Sequence, residues 1–243
     1  MKKLSALIFF LFITLFCAFA NIETLPIEKR PRQWIQFDFG SSLNRGIRRN
    51  QPFASVEYNF DWQPFQATTG FKIDSRTIDF TLRGSYLPFV IYQEKGVWRL
   101  GAATSYHMQR YSNSFFERDI FEEFEARWIS KRGLTVAARI GYSWRITTFD
   151  ALKNFFITDA DPVICVEFDK LWPNGVELFA ALGSYSFYRY PLFFCPQWTF
   201  GAAYNIKQSV RLGAEVELSM TDFYASVAHV NQIVVKCNTR FMF

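Results

Sequence analysis

The sequence predicts an all-β fold, an antiparallel transmembrane β-barrel of about 10–12 strands. Apolar and polar residues alternate with period two along most of the chain. Candidate strands reach roughly 14 residues, whereas about 5 or 6 are typical of soluble sheets. Aromatic residues make up 19% of the chain, yet no long apolar run follows the first 20 residues. Tilted strands with lipid on one face and a polar interior on the other have this composition.

The first 20 residues have the pattern of a secretory signal peptide. Lys2 and Lys3 precede an apolar run over 4–19, and Ala18 and Ala20 supply the small residues at a cleavage site. We therefore predict cleavage after Ala20 and export of the remaining chain.

Two alternatives to a cleaved signal peptide are open. A retained anchor helix would need about 20 apolar residues, so the run is short for it. A lipoprotein signal acylated at Cys17 would need a small residue immediately before the cysteine, and Phe16 stands there. The remaining residues, 21–243, are predicted to form a single barrel domain.

Charge and cysteine content exclude several classes of function. The chain has 27 Lys and Arg against 22 Asp and Glu, and removing Lys2 and Lys3 leaves 25 against 22, or +3. This excess is too small to indicate nucleic-acid binding. The three cysteines after the signal, Cys165, Cys195 and Cys237, are widely spaced and odd in number, so they predict no disulfide framework. With two histidines in the chain, we expect neither a metal site nor a cofactor.

The alternation is clearest between Leu134 and Thr148. One face carries Leu134, Val136, Ala138, Ile140, Tyr142, Trp144 and Ile146. The other face carries Thr135, Ala137, Arg139, Gly141, Ser143, Arg145 and Thr147. Because a soluble sandwich also alternates, the length of the strands and the position of tryptophans near strand ends decide in favour of a membrane barrel.

Candidate strands number eleven, which is odd, whereas bacterial barrels have even numbers. They cover 34–43, 52–63, 76–92, 97–110, 120–129, 134–148, 161–170, 176–188, 197–205, 210–220 and 230–243. Either 34–43 lies outside the wall, which leaves ten, or one strand has been missed, which makes twelve.

The predicted connections alternate between short and long. Tight turns are predicted at 93–96, 130–133, 171–175 and 205–209, and longer connections near 110–120, 148–161, 189–196 and 220–230. Periplasmic turns and extracellular loops of membrane barrels alternate in this way.

The last strand carries a recognisable terminal pattern. Its apolar face includes Phe241 and Phe243, with Arg240 as a charged element beside them. This pattern resembles the C-terminal signal by which the barrel-assembly machinery recognises bacterial outer-membrane β-barrel proteins. The resemblance implies location in the cell outer membrane, contact with outer-membrane lipids and lipopolysaccharide, and the assembly machinery as a partner. It leaves the oligomeric state open.

Charges on the polar face predict a lumen in which acids and bases are nearly balanced. The acids are Asp38, Glu57, Asp61, Asp79, Glu123, Glu125, Glu167, Glu215 and Glu217, and the bases are Arg83, Arg99, Arg127, Arg139, Arg145, Arg211, Lys236 and Arg240. The central members of the predicted network are Asp79, Arg83, Arg99, Arg127, Arg139, Arg145, Glu215, Glu217 and Arg240. In a narrow barrel these groups should meet across the lumen and pair, since an unpaired buried charge costs several kcal/mol. We expect an ion-pair network that fills and rigidifies the barrel. The alternative is that arginines line one wall and acids another, with a transverse field across a small pore.

Ser105 and His107 are the candidates for catalysis to compare with known enzymes, since residues two apart on a strand share a face. Outer-membrane phospholipases and lipid A deacylases use histidine then serine on the lipid-facing surface. Here the order is reversed and the alternation turns both side chains inward. We therefore favour a structural barrel or a narrow pore that is not an enzyme.

Two other functions are retained as alternatives. One is a lipid-modifying hydrolase of the outer membrane. The other is a surface-loop binding or adhesion module, because the stretches 111–119 and 188–196 place aromatic residues beside arginines.

Overall fold

The computed structural model describes residues 23–24, 32–44, 50–111, 115–149, 156–183, 196–207, 209–221 and 229–243. Within these ranges the chain forms thirteen β-strands. The described residues include no helix that is long and apolar enough to span a bilayer.

The strands are named in chain order. They are β1 Glu23–Thr24, β2 Arg32–Asn44, β3 Asn50–Trp62, β4 Phe65–Asp74, β5 Thr77–Gln93, β6 Gly96–Tyr111, β7 Phe115–Ser130, β8 Leu134–Phe149, β9 Phe156–Leu171, β10 Val176–Gly183, β11 Gln197–Lys207, β12 Val210–Thr221 and β13 His229–Met242.

Strands β2 to β13 close into a twelve-stranded antiparallel barrel. Each strand pairs with its neighbours in the chain, and the first and last strands pair with each other from Trp34 opposite Met242 to Asn44 opposite Gln232. Closure leaves no edge strand in the wall, because each of the twelve strands has a neighbour on both sides. The predicted fold class, an antiparallel transmembrane-type barrel of about 10–12 strands, is confirmed.

The count of eleven strands was wrong because one strand was missed. The segment 34–43 does belong to the wall, as β2, and the missing strand is β4. Thr68, Thr69 and Gly70 weaken the alternation in the middle of β4. The strand also has tight connections on both sides, at Gln63–Pro64 and at Ser75–Arg76, so no loop separates it from β3 and β5.

Several strands are longer than their predicted bounds. Strand β7 begins at Phe115 rather than 120, and β9 begins at Phe156 rather than 161. Strand β10 ends at Gly183 within the described residues, and the rest of the predicted segment 176–188 lies outside them.

The four predicted tight turns all lie at one end of the barrel, called here the turn end. Gly133 and Gly175 adopt φ values of 77° and 87° in two of them, a conformation that costs glycine little. The opposite end is called the loop end, and its longer connections contain residues outside the described ranges. The tight turn at Ser75–Arg76 lies at the loop end and breaks the predicted alternation of short and long connections.

Strand β5 extends past the start of β4 at the turn end. There the short strand β1 pairs with its free edge, Glu23 opposite Val90 and Thr24 opposite Phe89. A bulge in β5 lies between Tyr86 and Phe89. Gly101 on β6 faces this bulge, and a Cβ at that position would lie 1.9 Å from the carbonyl oxygen of Tyr86.

The outer face of the barrel is apolar and exposed, which reverses the usual distribution in a soluble protein. Ile140, Phe200 and Leu212 are among many large hydrophobic residues that lie more than two-fifths exposed there. Near the turn end the rings of Trp98 and Trp128 lie 6.4 Å apart, as in the aromatic girdles that mark a membrane interface. Most polar and charged side chains of the strands instead point inward, where they are buried or half-buried.

Candidate functional site: the barrel lumen

Among the side chains that the structure describes, fourteen carboxylates and nine cations point into the lumen, leaving out the strand-end residues Arg32 and Asp74. The carboxylates are Asp38, Glu57, Asp61, Asp79, Glu117, Asp119, Glu123, Glu125, Asp161, Glu167, Asp169, Glu177, Glu215 and Glu217. The cations are Lys72, Arg83, Arg99, Arg127, Arg139, Arg145, Arg211, Lys236 and Arg240. The described lumen side chains therefore include five more acids than bases, so the predicted near balance of charge was wrong.

Ion pairs in the lumen run along the wall between nearby strands. Lys236 Nζ lies 2.9 Å from both Glu215 and Glu217 on the adjacent strand. Arg145 donates from Nε to Asp119 Oδ1 at 2.8 Å, again between adjacent strands. The expectation that charged groups would pair across the lumen was therefore wrong for these pairs. A long side chain reaches a neighbouring strand, about 5 Å away, more easily than the opposite wall.

Glu125 is the most enclosed charge among the described side chains, with no exposed surface. It accepts a hydrogen bond from Arg83 Nη2 at 3.0 Å and another from Arg127 Nε at 3.0 Å. Two guanidinium groups thus compensate one buried carboxylate, which removes most of the desolvation penalty. Arg139 forms a further ion pair nearby, with Glu167.

One hydrogen bond crosses part of the lumen rather than following the wall, and it is called here the Arg127–Gln66 chord. Arg127 on β7 donates from Nη1 to Gln66 Oε1 on β4 at 2.8 Å, although two strands lie between them. This contact borders a chamber of about 170 Å³, which extends from β4 to β9. Its polar lining consists of Gln66, Thr68, Arg83, Ser85, Arg127, Arg139 and Glu167. The chamber is large enough to hold several water molecules.

A second charged group lies closer to the loop end and is centred on Asp119. His107 Nδ1 lies 3.9 Å from Asp119 Oδ2, and His107 is directly opposite Asp119 in the strand register. Above this group, Lys72 Nζ stacks on the ring of Phe53 at 4.4 Å from the ring centroid. Gly40 leaves room for that ring, because a Cβ there would lie 2.6 Å from it.

Ser105 and His107 both lie on the inner face, two residues apart on β6. His107 is buried beside Asp119 and Arg145, and Ser105 is opposite Arg83 and Phe121. The pair therefore faces the lumen, on the opposite side of the wall from the apolar outer surface. The described residues contain no group of three histidine, cysteine or acidic side chains with a metal-binding arrangement.

The other predicted lumen residues lie in three places. Arg99 is directly opposite Arg127 in the register. Arg240 donates to Gln36 Oε1 at 3.1 Å and lies over the ring of Trp34. Asp79 is buried near the loop end, on β5.

Sequence reasoning missed five inward acids and one lysine. They are Glu117, Asp119, Asp161, Asp169, Glu177 and Lys72. Lys72, Glu117 and Asp119 lie outside the candidate strands, and Asp161 is the first residue of one. Alternation counted along β4, and from the true first residues of β7 and β9, would have found all four.

The seam between β2 and β13 brings together the predicted terminal residues. The rings of Phe241 and Phe37 pack edge to face with centroids 6.3 Å apart. The backbone amide of Phe243 donates to Gln33 at 3.1 Å, and its side chain is exposed on the outer face.

No protein-family model matches the chain, and no curated protein matches its sequence. Solved structures do match in fold. A NanC porin has a TM-score of 0.58 at 13% identity over 85% of this chain and 98% of its own. A KdgM porin has a TM-score of 0.53 at 10% identity over 86% and 99%.

The translocator domain of autotransporter NalP from Neisseria meningitidis is similar to the same degree, with a TM-score of 0.53 at 9% identity over 89% of both chains. Porins and a translocator thus share this architecture. The chain has the fold of bacterial outer-membrane β-barrel proteins, and at these identities the likeness extends to fold alone.

Proposed function

We propose that the protein is an integral barrel of the outer membrane, exported by a cleaved signal peptide, whose lumen is a narrow water-filled pore that prefers cations. The chamber between β4 and β9 carries this proposal. Charged side chains that line it reach open space, since the side chain of Glu167 is 38% exposed and that of Arg83 is 27% exposed. A lumen packed solid at this level would bury both groups.

The pore is narrow because most lumen groups pack against one another. Glu125 and Asp119 have almost no exposed surface, and the hydrogen bond from Arg127 to Gln66 crosses the opening. This chord is the constriction of the pore. Small ions and water fit such a passage, and larger solutes do not.

Cation preference follows from the surplus of five carboxylates among the described lumen residues. Acids and bases are interleaved around the wall, as the pairs Arg145–Asp119 and Lys236–Glu215 illustrate. Arginines do not gather on one wall opposite the acids. A transverse field is therefore not part of the proposal.

One similar porin structure contains a disordered oligogalacturonate, an acidic sugar chain. That ligand is not proposed for this protein. A surplus of lumen carboxylates repels a polyanion. In addition, similarity of fold at 10% sequence identity does not identify a shared substrate.

The two alternative functions have less support. A hydrolase acting on membrane lipids would need Ser105 and His107 on the outer face, and they lie on the inner one. A binding module would rest on the stretches 111–119 and 188–196, of which 112–114 and 188–195 lie outside the described residues.

Planar-bilayer conductance of the purified protein tests the proposal. We expect small discrete current steps and a reversal potential that indicates preference for cations over anions. A wild-type protein that is folded in the bilayer and electrically silent would contradict the pore, and a preference for anions would contradict its proposed selectivity.

A further inference from the structure

Two arginines interrupt the apolar outer face near the loop end. Arg110 lies on β6 and Arg118 on β7, and both side chains are exposed on the outer surface. Arg110 is opposite Phe116 in the register and Arg118 is opposite Met108, so the arginines occupy diagonal positions on adjacent strands. Residues in that relation lie about 7–8 Å apart. Both guanidinium groups can therefore reach one ligand.

The height of the pair on the barrel matches a membrane interface. Trp128 and Trp98 form the aromatic girdle near the turn end. Arg118 precedes Trp128 by ten residues on the same strand, which corresponds to about 33 Å along the strand. With a tilt of about 40° this becomes roughly 25 Å along the barrel axis, which is the height of the apolar band of such barrels. Arg118 therefore lies at headgroup level on the other side of the bilayer.

The described residues provide no counter-charge for this pair on the outer face. Glu117 and Asp119 flank Arg118 in sequence, but they point into the lumen. Among the described residues, the nearest outer-face carboxylate is Glu122, four residues further along β7 and about 13 Å away. Two positive charges this close on one face of a sheet repel each other, and an anion bound between them would offset the repulsion.

Arg110 is also held in position by an aromatic ring. Its guanidinium carbon lies 5.0 Å from the centroid of Phe116, its partner across the strands. Met108 and Ile146 lie beside Arg118 as its partners on β6 and β8, and the outer face continues below them with Tyr106 and Ile120. These apolar side chains suit a hydrocarbon chain. A ligand here would thus meet cations at one end and apolar surface beneath them.

We propose that Arg110 and Arg118 bind a phosphate group of lipid A, the membrane anchor of lipopolysaccharide, in the outer leaflet. This inference rests on the outer-membrane location in the proposed function. Guanidinium groups form short, charge-assisted and often bidentate hydrogen bonds to phosphate oxygens. The acyl chains of the same lipid lie along the apolar strip below.

Lys170 offers a matched control. It also lies on the outer face, but at the turn end, where its Nζ donates to the carbonyl oxygen of Arg132. Replacing it removes one positive charge from the outer surface without touching the proposed site.

The test compares the wild type, the double variant R110Q/R118Q and K170Q, each as full-length mature chain folded in detergent. Native mass spectrometry measures binding of bis-phosphorylated lipid A and of lipid A stripped of its phosphates. We expect the double variant to bind phosphorylated lipid A at least about tenfold more weakly, since two charge-assisted contacts are lost. K170Q should bind it as the wild type does, and stripped lipid A should bind all three proteins equally weakly.

Heat-modifiable migration checks that the double variant is folded, and bilayer conductance separates this inference from the pore. Equal binding of phosphorylated lipid A by all three proteins would refute the site. So would a loss of binding in K170Q as large as that in the double variant. Neither result would bear on the proposed pore, which bilayer conductance tests separately. A double variant that loses only self-association would assign the arginines to contact with a second copy and also refute the lipid site. A wild-type protein that binds lipid A but conducts no current would contradict the proposed pore and leave the lipid site supported.

Discussion

Arg211 forms two parallel hydrogen bonds to Glu177, from Nε to Oε2 at 2.9 Å and from Nη2 to Oε1 at 2.7 Å. The residues belong to β12 and β10, and β11 lies between them. Glu177 is opposite Ala203 of β11 in the register, and Arg211 is opposite Asn205 of the same strand. Asn238 accepts a third hydrogen bond from the same arginine at 3.1 Å.

This pair should contribute strongly to barrel stability. E177Q leaves the buried guanidinium without its carboxylate, and we expect a loss of about 3–5 kcal/mol in the free energy of unfolding. The midpoint of urea unfolding in lipid vesicles, followed by heat-modifiable migration, measures it. The double variant E177L/R211M should recover most of the loss, because replacing both partners removes the uncompensated charge. An E177Q barrel as stable as the wild type would mean that the lumen solvates the arginine.

The Arg127–Gln66 chord should limit the current through the barrel. R127A removes the side chain that crosses the opening, and we expect unit conductance to rise by about twofold. R132A is the control, since Arg132 lies in the exposed turn between β7 and β8, outside the lumen. If R127A leaves the conductance unchanged, the constriction lies elsewhere in the lumen.

Selectivity should follow the sign of the charge removed. R139A and R145A each take a cation from the β8 row of the inner face, so the reversal potential should shift further towards cations. E167Q removes the carboxylate that pairs with Arg139 and should shift it the other way. Shifts in the same direction for both kinds of variant would exclude direct electrostatic control by these side chains.

His107 should matter through packing and hydrogen bonding only. H107A removes a buried imidazole beside Asp119, and we expect a loss of about 1–2 kcal/mol in stability. Phospholipid and lipid A hydrolysis should be the same in the variant and the wild type. Hydrolysis that is present in the wild type and lost in H107A would instead establish an enzyme.

The seam between β2 and β13 should depend on its terminal aromatics. We expect F241A, which removes the edge-to-face contact with Phe37, to cost about 1 kcal/mol. Deleting Phe243 should lower the amount of assembled barrel in the membrane while export continues. F39A, on the same outer face of β2, is the control for loss of an exposed aromatic. Normal assembly after deletion of Phe243 would contradict its role as an assembly signal.

The sequence alone was sufficient to predict a barrel and the direction of most side chains. Period-two alternation assigns each residue of a strand to one face, so it places Arg139, Arg145 and Glu215 on the inner face without knowledge of strand pairing. It failed at β4, where Thr68, Thr69 and Gly70 have no marked preference for either face and both connections are tight. A strand that alternates weakly and has no flanking loops is therefore difficult to recognise from the local sequence.

Only the tertiary structure determined which charges meet. Alternation assigns a face but contains no information on register, so it could not bring Arg83 to Glu125, 42 residues away, or Arg127 to Gln66, 61 residues away. The closure of twelve strands and the stagger between them set these neighbours. Strand pairing also determined that ion pairs follow the wall, because cations such as Arg145 and Lys236 reach a carboxylate on a nearby strand before they reach across the lumen.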